Sequence, residues 1–211
     1  MVKGMREREP EGRKVFLTRD QFDTLLATAS GQKRAPYLAD LIVVAVMTGC
    51  RKGELLGLEW SRVDLAANVI VLRGSDTKAG KSRLVPINEA AKDALLRRLQ
   101  FRQKHCPDAS FVFCGPDGKR MVAVKSSYRA ACEASGLRGL RFHDLRHTCG
   151  SWLAQAGVPS SHIAAVLGHS TVRMTERYAH LAPANARDAV EKLMGVPNPV
   201  PSAAEEDFAT A

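Results

Sequence analysis

At 211 residues, with 45% hydrophobic and 25% charged side chains, the chain has the size and composition of one packed globular domain. Its net charge of +9 is unevenly spread, because all 31 basic residues precede Gly195 while Glu205, Glu206 and Asp207 follow it. The longest apolar run, Leu38 to Met47 interrupted by Asp40, is too short to span a bilayer, and the charged first fourteen residues lack the apolar core of a secretory signal. So basic a body suits a polyanionic partner, nucleic acid or an anionic membrane surface. The five cysteines (50, 106, 114, 132 and 149) are odd in number and show no Cys-x-x-Cys spacing, so they read as reduced thiols of a cytoplasmic protein.

Taken in order, residues 1–14 read as a disordered segment. Thr18 and Gln21 form a capping box before a helix whose apolar face is Phe22, Leu25 and Leu26. A second helix over about 36–48, apolar nearly all round, is the core helix; it stops at Gly49, and a short one restarts over Lys52–Leu56. The period then falls to two. Val69 to Leu72 reads as a strand and Arg83–Ile87 as its partner, with Lys78 to Lys81 at the hairpin tip. Asn88 caps a helix over 89–104; a short strand, Phe111–Phe113, and a Gly-Pro-Asp-Gly turn follow. Further helices are expected over 121–134, 143–156, 160–167, 171–181 and 184–194, and residues 196–211 read as a flexible acidic tail. The fold class is thus mainly α with one small antiparallel β-sheet.

Four clusters carry candidate chemistry, and each has a bland alternative. Arg51 follows directly on a helix stop, where a turn aims a long side chain at a ligand or merely caps the helix. Lys78 sits at a hairpin tip, within reach of a groove, or is a solvated turn residue. His143 and Arg146 lie three apart on one helix face, where a forked guanidinium and an imidazole can grip a phosphate or simply pair. His169 stands in a Gly-His turn, and Tyr178 nine residues later is by default a core residue of an amphipathic helix. His105, His147, His162 and His180 read as structural or solvent-exposed. Tyr37 and Tyr128 lack a neighbouring His or Arg cluster, and Trp60 and Trp152 read as packing residues.

The strings TGCRKGELLGLEW, TKAGKSRLVPI, HDLRHT and LGHSTVRMTERYAHL, in this order, resemble the motifs of the tyrosine recombinase (phage integrase) family over about residues 17–194. The resemblance implies the family's catalytic-domain fold for residues 15–195, with Arg51, Lys78, His143, Arg146 and His169 as catalytic set and Tyr178 as nucleophile. Glu54 matches an acidic position supporting the first arginine. On this view two arginines neutralise the nonbridging phosphate oxygens and remain charged at any working pH. His143 serves as base, His169 bonds a phosphate oxygen, and Lys78 protonates the departing 5′ oxygen. The acidic residues are scattered and no carboxylate cluster suggests a magnesium site, so neither metal nor cofactor is expected.

The implied activity is site-specific cleavage and rejoining of double-stranded DNA through a 3′-phosphotyrosyl link, for a phage or mobile element. A type IB topoisomerase and a non-catalytic architectural DNA binder are the alternatives. Most family members carry a helical core-binding domain before the catalytic one, and only about sixteen residues stand there in this chain. A tetramer is therefore expected only on DNA with the full-length protein, and the isolated chain is expected to be monomeric.

Overall fold

The computed structural model describes residues 15–76, 80 and 82–182. The expected disordered start, Lys78, the helix over 184–194 and the acidic tail lie outside the described residues. The helices are α1 (Arg19–Ser30), α2 (Leu38–Thr48), α3 (Lys52–Leu56), α4 (Glu89–His105), α5 (Lys125–Ala134), α6 (Asp144–Gln155) and α7 (Ser160–Leu167). One antiparallel sheet runs in the order β1 (Val63–Asp64), β2 (Val69–Leu72) and β3 (Arg83–Pro86).

The apolar helix α2 is the axis of the core. Leu38, Leu41, Ile42 and Val44 are wholly buried, and α1, α4 and α6 pack around it. Its one carboxylate, Asp40, is buried too; burial raises its pKa, opposed by the 2.7 Å hydrogen bond from Arg97 on α4. The α1 capping box forms as the sequence predicts, Thr18 accepting from the Gln21 amide and Gln21 from the Thr18 amide. Just before it, Leu17 is clamped to α6: its amide donates to Thr148 Oγ1 at 3.0 Å, and its carbonyl accepts from Trp152 Nε1 at 2.9 Å. Trp152 also meets Phe22 edge-on and carries the Arg19 guanidinium over its ring at 3.5 Å.

The sheet has three strands where the sequence suggested two. Val63–Asp64 was missed because the strand is short and held from the turn: Asp64 Oδ1 accepts from the Ala66 and Ala67 amides, and Asn68 takes the left-handed conformation. Register pairs Leu72 with Arg83 and Ile70 with Val85, so these four side chains share one face, and Ile70, Leu72 and Val85 are buried there.

Three other expectations change. Phe111–Phe113 makes only a single bridge, to Glu59. The helix expected from residue 121 begins at Lys125, since the Met121 amide is committed to the Phe113 carbonyl at 3.1 Å. The single helix expected over 171–181 is two 3-10 turns, Val172–Met174 and Glu176–Leu181, closed by i to i+3 bonds such as Tyr178 N to Thr175 O at 2.9 Å.

Trp152→Phe should keep most of the packing yet strand the Leu17 carbonyl, lowering stability by about 1–3 kcal/mol. Urea unfolding checks this, and a loss within error of zero would mean that the clamp adds nothing.

Candidate active site

The site is assembled from the turn after α2, the inner face of β3, helix α6 and the turn after α7. Helix α2 ends in Gly49, whose left-handed backbone (φ 63) redirects the chain into Cys50 and Arg51. A Cβ at Gly49 would strike Leu167 Cδ2, so the position needs glycine for space as well as for conformation. The Gly49 carbonyl accepts from Arg146 Nη1 at 2.7 Å, so one turn redirects Arg51 and also anchors Arg146.

Glu54, only 3% exposed, is the hub. Its Oε2 accepts from the Arg51 amide at 2.7 Å and from Arg83 Nη2 at 2.8 Å. Its Oε1 accepts from Arg51 Nη1 at 2.9 Å and from Arg83 Nη1 at 3.1 Å. Burial pushes the carboxyl pKa up, but these bonds outweigh it, Arg83 foremost, and hold the group ionised below its ordinary range. Arg51 Nη2 reaches on to the Gly168 carbonyl at 3.4 Å. Gly168 is the second left-handed glycine (φ 62), and a Cβ there would sit 2.9 Å from three Arg83 atoms.

Arg83 was not singled out from the sequence. The signal was available: it shares the inward parity of Val85, so a guanidinium at that position faces the interior and requires a partner.

Arg146 is buried, with Nη2 unpartnered among the described residues. Its pKa is pushed down to about 10 by burial and by the nearby charges of Arg51 and Arg83, which still leaves it cationic at neutral pH. Three guanidiniums thus crowd one carboxylate, and the excess positive charge favours an anion.

The sequence-predicted histidines take different places. His143 is exposed and stands immediately before α6. His169 bonds through Nδ1 to the buried Thr175 hydroxyl at 2.8 Å, and its pKa falls to about 4 through burial and the charges of Arg146, Arg51 and Arg177. Tyr178 is 4% exposed and packs with Cys149, Ile163 and Leu167. Its ring fills the space above Gly150, where a Cβ would lie 2.6 Å from Cζ. Burial raises the phenol pKa, opposed by Arg177 and Arg146.

The described partner of the Tyr178 hydroxyl is His147 Nδ1, at 2.9 Å. The sequence alone places His147 among the structural or solvent-exposed histidines. It is half-buried, and the ring of His143 meets it edge-on at 4.9 Å. The sequence signal was its spacing, four residues after His143 on the same helix face. Lys78, the remaining predicted residue, lies outside the described set.

A groove of about 1000 Å³ opens beside Arg51 and His143. Its rim carries Lys52, Lys125, Arg129, Arg138 and Arg141 against the single carboxylate Glu133, and its floor includes Tyr128 and Phe142.

The architecture is that of tyrosine recombinase catalytic domains. The catalytic domain of bacteriophage HP1 integrase superposes with a TM-score of 0.67 at 26% identity, covering 87% of this chain and 98% of that one. The Tn1549 transposon integrase, solved in complex with circular intermediate DNA, gives 0.67 at 29%, covering 89% and 68%. In sequence, the integrase of Salmonella phage P22 is 33% identical over 153 residues, 69% of this chain and 40% of that protein. The family model described as phage integrase family matches residues 15–185, and the chain belongs to that family. It spans about half the length of the curated relatives it matches.

Two outcomes follow from the geometry. Glu54→Gln should cost about 3–5 kcal/mol in chemical unfolding, because Arg51 and Arg83 lose their shared counter-charge; a loss under about 1 kcal/mol, as for an exposed pair, would contradict the hub. His147 and His169 have pKa values lowered from 6.5 to about 4, so the unfolded chain binds their protons first. Their stabilising contribution is full above pH 6.5 and declines as pH falls toward 4. Melting temperature should drop through that window, and His147→Gln and His169→Gln should each flatten the decline.

Proposed function

We propose that the chain is the DNA-cleaving and rejoining part of a site-specific recombinase, acting through a phosphotyrosyl intermediate. The observation that carries this reading is the set of three arginines gathered around one carboxylate, of which Arg146, its Nη2 unpartnered among the described residues, lies on the helix packed against the 3-10 turn of Tyr178. A phosphodiester supplies the missing negative charge, and the charge that builds on its nonbridging oxygens in the transition state is met by fixed guanidiniums.

The Tyr178 oxygen attacks phosphorus, losing its proton to a base; the bond from phosphorus to the 5′ oxygen breaks, and that oxygen takes a proton, from Lys78 by family resemblance. The 3′-phosphotyrosyl link conserves the phosphoester bond, so rejoining is the reverse attack by a 5′ hydroxyl and needs no nucleotide. Arg51 and Arg146 neutralise the phosphate, and His169 donates to one of its oxygens. The basic groove rim carries the adjoining duplex backbone, which positions DNA without reading its sequence. A tetramer is expected only on DNA.

Tyr178→Phe should abolish covalent adduct formation on a nicked substrate, scored on a denaturing gel, while duplex binding stays close to wild type. Adduct at the wild-type rate would refute the assignment. Arg146→Lys should be nearly as impaired as Arg146→Ala, since a lysine cannot span the Gly49 carbonyl and a phosphate together. Removing one rim cation, Arg138→Ala, should reduce the log–log salt dependence of duplex binding by about one unit. Relaxation of supercoiled plasmid without site preference would favour the topoisomerase alternative.

A further inference from the structure

We propose that His147 is a catalytic residue of this site, its Nδ1 taking the Tyr178 hydroxyl proton as the phenolic oxygen attacks phosphorus. The inference rests on the strand-cleavage reading above and assigns the base within it. It also departs from what family resemblance suggests, which gives that task to His143.

Geometry separates the two histidines. His143 stands just before α6 and His147 one turn into it, and the inner one faces the nucleophile: Nδ1 of His147 stands 2.9 Å from the Tyr178 hydroxyl oxygen. His143, at the exposed end of the helix, presents its ring to His147 at 4.9 Å between centroids and stands at the mouth of the basic groove. A base has to be within hydrogen-bond reach of the proton it removes, and among the described residues His147 alone bonds that hydroxyl.

The surroundings also keep His147 in the form a base needs. The charged and titratable groups facing it are His143 just before α6, Asp144 and Arg146 on α6, Arg177 and Tyr178 on the last 3-10 turn, and His169 on the turn after α7. Burial, and then the positive members of that set, favour the neutral imidazole; only Asp144 opposes them. With its proton on Nε2, the ring offers a lone pair at Nδ1, and the phenol donates to it.

At rest the proton stays on oxygen, because Tyr178 is held above its usual pKa and His147 below. A phosphodiester beside Arg146 and Arg177 would offset the cations that keep His147 neutral. The base therefore gains proton affinity only when substrate is seated, which couples ionisation of the nucleophile to DNA binding. In the reverse reaction the imidazolium returns its proton to the phenolate as the phosphotyrosyl bond breaks.

The test is single-turnover cleavage of a nicked duplex by the full 211-residue chain, with wild type, His147→Gln, His147→Ala, His143→Gln and Tyr178→Phe compared from pH 6 to 9.5. Both His147 variants should lose about 10²–10⁴-fold in adduct formation, with DNA affinity retained. Their rates should rise about tenfold per pH unit, since only pre-ionised phenol reacts, where wild type is flat. Glutamine preserves size and an acceptor atom, so it separates proton transfer from ring placement, and its melting curve reports folding. His147→Gln at the wild-type rate, or slowed with a flat pH profile, would overturn the proposal and leave strand cleavage standing. Absence of a wild-type adduct, or an undiminished one in Tyr178→Phe, would remove the cleavage reading itself.

Discussion

The carboxylate of Glu54 is the constraint on which the rest of the site depends. Four donors from Arg51 and Arg83 converge on its two oxygens, and those donors belong to segments far apart in the chain: the turn after α2 and the inner face of β3. A charge this deep is tolerable only when paired and fully hydrogen-bonded, and Glu54 is both. Through Arg51 the pairing extends to the Gly168 turn, which carries His169. The sheet, α3 and the α7 turn are therefore placed relative to one another by one ionised group.

That group leaves the site deliberately short of negative charge. One carboxylate cannot neutralise Arg51, Arg83 and Arg146, and the strain shows as the lowered pKa of Arg146 and the neutral state favoured at His143, His147 and His169. Neutral imidazoles among fixed cations can accept protons or donate one hydrogen bond each. On the proposed reading, a bound phosphate would complete the electrostatics and at the same time change the proton affinity of every histidine around it.

The parts of this arrangement that follow local rules were legible in the sequence. The α1 capping box, the α3 limits and the α7 limits all agree with the chain pattern, because caps, glycine stops and helical spacing are set by near neighbours. The candidate residues stand in the sequence as a succession of motifs, and of their contacts only the support of Arg51 by Glu54 is indicated there. Arg83 and His147 escaped because their significance is relational: an arginine in a strand and a histidine in a helix become notable only when Glu54 and Tyr178 are brought against them. The break of residues 171–181 into two 3-10 turns had a similar cause. Its apolar spacing suits an α-helix, but Thr175 is tied to His169 and the Tyr178 ring must fit over Gly150.

Those tight turns give Tyr178 a mechanical property. A 3-10 turn advances about 2.0 Å and 120° per residue, and an α-helix about 1.5 Å and 100°. Rewinding the three residues from Thr175 to Tyr178 from one form to the other would shift the phenol by about 1.5 Å along the axis and swing it by about 60° around it. The segment behaves as a screw thread whose pitch sets where its passenger points. Any force on the chain beyond Leu181 that tightens or slackens the thread would aim the tyrosine toward or away from the arginines, while the Glu54 hub stays still.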